Sequence, residues 1–163
     1  MDYFSAMKAA TINELKQELL NEKPAKLVEL CIRLARFKKE NKELLTYLLF
    51  EAHDTEAYIK SVIQEMDSNF ETINKSNAYF VKKTLRKILR ITHKFIRYSG
   101  SDIVATELLI HFCKTVKKMD KSITTNQVII NIYQNQLKKI NKAIAAMHED
   151  LQYEYDIALK KLS

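Results

Sequence analysis

Six cations at helical spacing are the most concentrated chemistry in the chain. Lys83, Arg86, Lys87, Arg90, Lys94 and Arg97 recur at steps of three and four, so on a helix they share one face. Lys82 lies beside them, and the stretch from Ser76 to Gly100 holds no Asp or Glu. The net charge of the whole protein, +7, equals the charge of this one stretch. A row of ammonium and guanidinium groups can neutralise several phosphates, with steep salt dependence and no sequence preference. Tyr79, Phe80 and Tyr98 fall in the same stretch, and aromatic rings can stack on unpaired bases. The same pattern also suits an anionic membrane surface. The competing expectation is that the charges pair at home. The preceding helix carries Glu56, Glu65, Asp67 and Glu71, and in an antiparallel hairpin these carboxylates would offset the cations.

Other residues have the right types for chemistry but not a convincing pattern. Glu107 and His111 are four apart, hence on one helical face, and Cys113 follows. A metal would need further ligands from elsewhere in the fold, for which His53, His93 and His148 are available. Lone histidines on separate helices are ordinarily surface or core residues, so no metal is assigned. Glu51-x-His53-Asp54 sits at a helix junction where Asp54 serves as a cap, and acid–base catalysis needs a convergence that spacing alone does not supply. One glycine cannot build a glycine-rich phosphate loop, and neither G-x-S-x-G nor H-E-x-x-H occurs. No catalytic residue and no cofactor is assigned. Cys31 and Cys113 are far apart, outside any C-x-x-C, and within apolar helical patterns, so both read as buried, inert thiols.

The elements that must position these residues are helices. The chain has 163 residues with a single Gly, Gly100, and a single Pro, Pro24. Sheets need turns, and turns need Gly, Pro, Asn and Asp in clusters. An apolar fraction of 47% excludes a disordered chain. Thr11 and Glu14 form a T-x-x-E capping box before a first helix from about Ile12. Pro24 opens a second, with Leu27, Leu30, Cys31, Leu34 and Phe37 on one face. A third, over about Lys42–Ala52, is apolar on nearly every side and is expected at the centre of the core. Asp54 caps a fourth, with the seam Ile59, Val62, Ile63, Met66, Phe70, Ile73. Ser76 or Asn77 starts the basic helix, whose core face is Ala78, Val81, Leu85, Ile88, Thr92, Phe95 and whose stop is Gly100. Ser101 or Asp102 caps a sixth, with Val104, Leu108, Leu109, Phe112, Val116 and Met119 inward.

Beyond Ser122 there is neither Gly nor Pro. Apolar residues run at alternating steps of three and four from Ile130 to Leu151, a heptad seam. One helix over 122–163 would reach about 60 Å and overhang a compact body of about 15 Å radius of gyration. It either bends near 148–150 or offers Ile140, Ile144, Met147 and Leu151 to another chain. The expectation is an all-α fold: one domain over 1–163, with antiparallel hairpins forming a bundle or short HEAT-like stack over 1–121 and the long C-terminal helix over 122–163.

Lys26-Leu27-Val28-Glu29-Leu30, the bend Lys38-Lys39-Glu40-Asn41-Lys42-Glu43, and Tyr47-Leu48 together resemble small all-helical bacterial domains of uncharacterised activity. Those show an L-x-E-L pattern, a Lys/Asn-rich bend and a Tyr-Leu helix. The resemblance implies a helical fold and no particular activity.

No cationic, apolar leader opens the chain, and no apolar run approaches the ~20 residues of a membrane span, so a cytoplasmic protein without a membrane partner is expected. The functional expectation is a non-enzymatic scaffold or adaptor, acting through a protein partner or self-association at the C-terminal helix. The alternative is a nucleic-acid-binding protein using the basic helix 78–99. A third possibility is an enzyme with a site between helices.

Overall fold

The structure, a computed structural model, describes residues 8–162. They form nine helices and no strand, so the fold is all-α. The chain divides into two compact units, Met1–Thr46 and Tyr47–Ser163. The division falls at 46/47 and not at 121/122, because the C-terminal helices bury their apolar seams within the second unit.

In the N-terminal unit, α1 spans Ile12–Leu20 and opens with the capping box. The Glu14 N–H donates to Thr11 Oγ1 at 3.3 Å, and the Thr11 N–H donates to Glu14 Oε2 at 2.7 Å. Helix α2, Pro24–Phe37, carries Pro24 in its first turn, where a missing N–H costs nothing. Lys38 is extended, and α3 runs over Lys39–Thr46. The Asn41 side-chain amide donates to the Leu34 carbonyl at 2.9 Å, satisfying one of the orphan acceptors at the end of α2. Helices α2 and α3 pack on each other. None of the three helices holds a fully buried residue, and Leu34 and Phe37, expected inside, are 61% and 77% exposed.

The expected central helix over 42–52 is corrected. After Thr46 the chain makes a π-helical turn, Tyr47–Glu51, closed by the Ala52 N–H donating to the Tyr47 carbonyl at 2.9 Å. The wider turn sends Tyr47 against Tyr58, with ring centroids 4.6 Å apart, and leaves Leu48, Leu49 and Phe50 exposed. An all-round apolar helix signals burial only if neighbours surround it; here one side is covered.

The second unit continues with α4 (Thr55–Glu71), α5 (Ala78–Ser99), α6 (Asp102–Lys117), α7 (Lys121–Thr124), α8 (Gln127–Ala145) and α9 (Glu149–Lys160). Helix α6 takes the central place, packed by α4, α5 and α8. Its predicted stripe is inward as expected, and Ala105, Thr106, Ile110 and Cys113 are buried as well, because neighbours lie on more than one side. Gly100 ends α5 in the left-handed conformation, φ 59°, and its N–H donates to the Ile96 carbonyl. Ser101 Oγ then caps α6 by accepting from the Val104 N–H.

The single helix expected over 122–163 is interrupted twice. Asn126 caps α8, and its Oδ1 accepts from the Val128 N–H at 3.0 Å. Helix α8 ends at Ala145, and His148 caps α9. The bend expected near 148–150 therefore falls at 146–148, and α9 folds back to pack on α8. The residues of the expected oligomer seam are divided by this bend. Ile140 and Ile144 lie in this unit's own core, and Met147 and Leu151 are half-buried. The Tyr133 hydroxyl donates to the Leu162 carbonyl at 2.6 Å, holding the chain after α9 against α8.

Candidate anion-binding face

The local sequence of α5 separates two faces. Val81, Leu85, Ile88, Leu89 and Thr92 are buried, while Lys83, Arg86, Lys87, Arg90 and Arg97 are exposed; Lys94 is half-buried. Asn77 caps the helix through its Oδ1, which accepts from the Tyr79 N–H at 2.8 Å. Burial of the apolar stripe against α4 and α6 fixes which way the cations point: away from the core.

Among the described residues, the internal pairing expected with α4 is not made by Lys83, Arg86, Lys87 or Arg90. Glu56 bonds to Lys60 on its own helix at 2.8 Å, and Asp67 meets His111 of α6 at 2.6 Å. Among the described residues, no carboxylate lies within ion-pair distance of Lys83, Arg86, Lys87 or Arg90. Cations offset by neighbouring carboxylates would make a weak potential; Lys83, Arg86, Lys87 and Arg90, left in one row, make a field.

The first half of that row borders an open groove of about 700 Å³. Lys82, Lys83, Arg86, Lys87 and Arg90 line it, with Tyr79 and Phe80 at one end and Thr72 and Asn74 of the preceding loop beside them. No acid lines the groove. Tyr79 and Phe80 are 57% and 44% exposed, their rings edge to face with centroids 5.6 Å apart. Lys82 Nζ stands 5.2 Å from the Tyr79 ring centre, a cation–π contact. Tyr98, the third aromatic noted in the sequence, packs instead against the core and Phe95.

The second half of the row is different. Lys94 Nζ lies 5.2 Å from the Phe95 ring centre and 5.9 Å from that of Tyr98. His93 accepts a hydrogen bond at Nε2 from Lys139 of α8, at 2.9 Å. Burial, then the nearby Lys139 and Arg97 charges, push His93 below the ordinary histidine range, while the neighbouring Gln136 side chain acts the other way. Thr72, Asn74 and Lys139 had no signal in the sequence as neighbours of this helix. They arrive through a turn and through packing of a helix distant in sequence.

The remaining candidate residues are dispersed. Glu107 accepts from the Tyr155 hydroxyl at 2.8 Å, and His111 is engaged by Asp67. Cys113 is buried, which pushes its thiol up to about 12. Cys31, expected to be buried, is exposed. Asp54 accepts from the Ala57 N–H at 2.9 Å as the cap of α4. Among the described residues, no three His, Cys, Asp or Glu side chains gather into a group that could hold a metal ion. No helix of the described residues is long and apolar enough to cross a membrane. No family model, curated protein or solved structure matches the chain.

Proposed function

We propose that the protein binds an anionic polymer, single-stranded nucleic acid, along α5. One observation carries this reading: the cations bordering the groove have no acidic partner, and two exposed aromatic rings stand at the end of the same groove. From Lys83 to Arg97 the row extends about 21 Å at 1.5 Å per residue, enough for several consecutive phosphates. Arg86 and Arg90 present forked donors to phosphate oxygens, and Lys83 and Lys87 add point charges. Tyr79 and Phe80 offer ring faces or edges to unpaired bases, which favours a single strand over a duplex with its bases stacked inside. Ile140 and Ile144, two of the four residues on which a scaffold acting through the C-terminal helix would rely, are buried in the core, whereas the cations at the groove are exposed or half-buried.

The test is fluorescence anisotropy with short DNA and RNA oligonucleotides over a range of salt. Binding should weaken with salt with a logarithmic slope of about −3 to −4, as four to six neutralised phosphates on a single strand require. Arg86→Glu, Lys87→Glu and Arg90→Glu together should abolish binding while leaving the fold intact, since all three are exposed. Tyr79→Ala with Phe80→Ala should weaken single-strand binding by about 1–3 kcal/mol per stacked base and leave the salt slope unchanged. Undiminished binding by the triple variant would refute the reading.

A further inference from the structure

The cations of α5 do not end at the groove. One turn beyond Arg90 stands His93, and one turn further Arg97, so Arg86, Arg90, His93 and Arg97 form a line along the helix at steps of four, three and four. Beside His93 lies α8, a second helix without acid: from Lys121 to Met147 the chain carries Lys121, Lys138, Lys139 and Lys142 and no Asp or Glu. The two helices meet where Lys139 Nζ donates to His93 Nε2 at 2.9 Å. Among the described residues, no carboxylate lies within ion-pair distance of Lys139 or Arg97. The charges acting on the His93 ring are Lys139 of α8 and Arg97 of its own helix. Among the described residues, α4, α6 and the turn Tyr47–Glu51 set none beside it; Asp67 and Glu107 are engaged by His111 and Tyr155. The Gln136 side chain, 4% exposed, adjoins the ring, and its Oε1 is buried without a hydrogen-bond partner.

We propose that the anion-binding face continues from α5 onto α8, where His93 and Lys139 hold a further phosphate of the bound strand and His93 takes up a proton as it binds. This rests on the reading of α5 as a nucleic-acid face. The chemistry follows from the contact between the two side chains. In the free protein Nε2 offers its lone pair to Lys139, so the ring is neutral and its proton sits on Nδ1. A proton added at Nε2 sets two donors face to face, with nothing to accept from either. A phosphate oxygen is the missing acceptor: it takes one hydrogen bond from Nε2–H and another from Nζ, and its charge offsets both. Protonation and phosphate binding therefore favour each other, and by the same factor. Gln136 also favours the charged ring. Burial and the neighbouring cations keep the ring neutral until an anion arrives, which is what leaves it a proton to take up.

Fluorescence anisotropy of the full chain with a short thymidine oligonucleotide, whose bases do not titrate in this range, tests the proposal between about pH 7.5 and about pH 5.5. The native protein should gain about tenfold in affinity across that range, as a histidine raised by about one unit on binding requires. His93→Gln should lose that gain, while His53, His111 and His148 are the same in both proteins. Lys139→Gln, at an exposed position, should reduce the logarithmic salt slope by about 0.7, the share of one phosphate on a single strand. Followed by proton NMR, the His93 ring should titrate at higher pH with the oligonucleotide than without it. An equal pH gain in His93→Gln, an unmoved His93 titration, or an unchanged salt slope in Lys139→Gln overturns the proposal while binding at the groove stands. Absence of binding by the native protein at every pH overturns both.

Discussion

His93 accepts from a lysine while bordered by Arg97, so its neutral form is favoured in the folded protein. The consequence for stability has a definite sign. The unfolded chain takes up a proton as pH falls through about 6.5, while the folded chain resists until its lowered value is reached. The unfolded state then binds more protons, and stability falls with pH across that window. Between about pH 7.5 and about pH 5 the urea midpoint of the native protein should drop further than that of His93→Gln. Equal drops would show that His93 carries no such linkage. In the sequence His93 stood only among the histidines available to a metal; nothing there pointed to Lys139, which is brought beside it by the packing of α8.

At the scale of elements, start and stop signals were the most legible feature. The Thr11 box, Pro24, Asp54, Asn77 and Gly100 all act where their chemistry predicts, because caps are local and answer to backbone groups within a turn. Gly100 gives the sharpest test. Its φ is 59°, and a Cβ added there would meet nothing within 4 Å, so any cost of Gly100→Ala is backbone strain alone. Chemical denaturation should register a loss of about 1–2 kcal/mol. The break between α8 and α9 was weakly signalled, since Ala146, Met147 and His148 include no Gly or Pro. It is set by α9 folding back to bury Leu159 and by the core that receives Leu162. The π-helical turn at Tyr47–Glu51 was invisible for the same reason: a run of apolar residues does not say which one finds a neighbour.

For the whole molecule, the two units should respond differently to substitution. Phe112 is fully buried in α6 and 5.6 Å from the Phe70 ring centre, so Phe112→Ala should cost about 3–5 kcal/mol in global unfolding. Leu34→Glu and Phe37→Glu should leave that transition in place, as both side chains are exposed. The all-α fold, the helix starts and the cationic row on α5 followed from composition, capping residues and the 3.6-residue period, all of which act over a few neighbouring residues. Whether those cations were neutralised at home, whether the heptad stripe faced its own core, and which apolar faces remained open depended on how helices distant in sequence lie against one another. A period names a face of a helix but not what stands opposite it. Only the packed structure set α4's carboxylates away from Arg86 and Arg90, turned Ile140 and Ile144 inward and left Leu34 and Phe37 exposed.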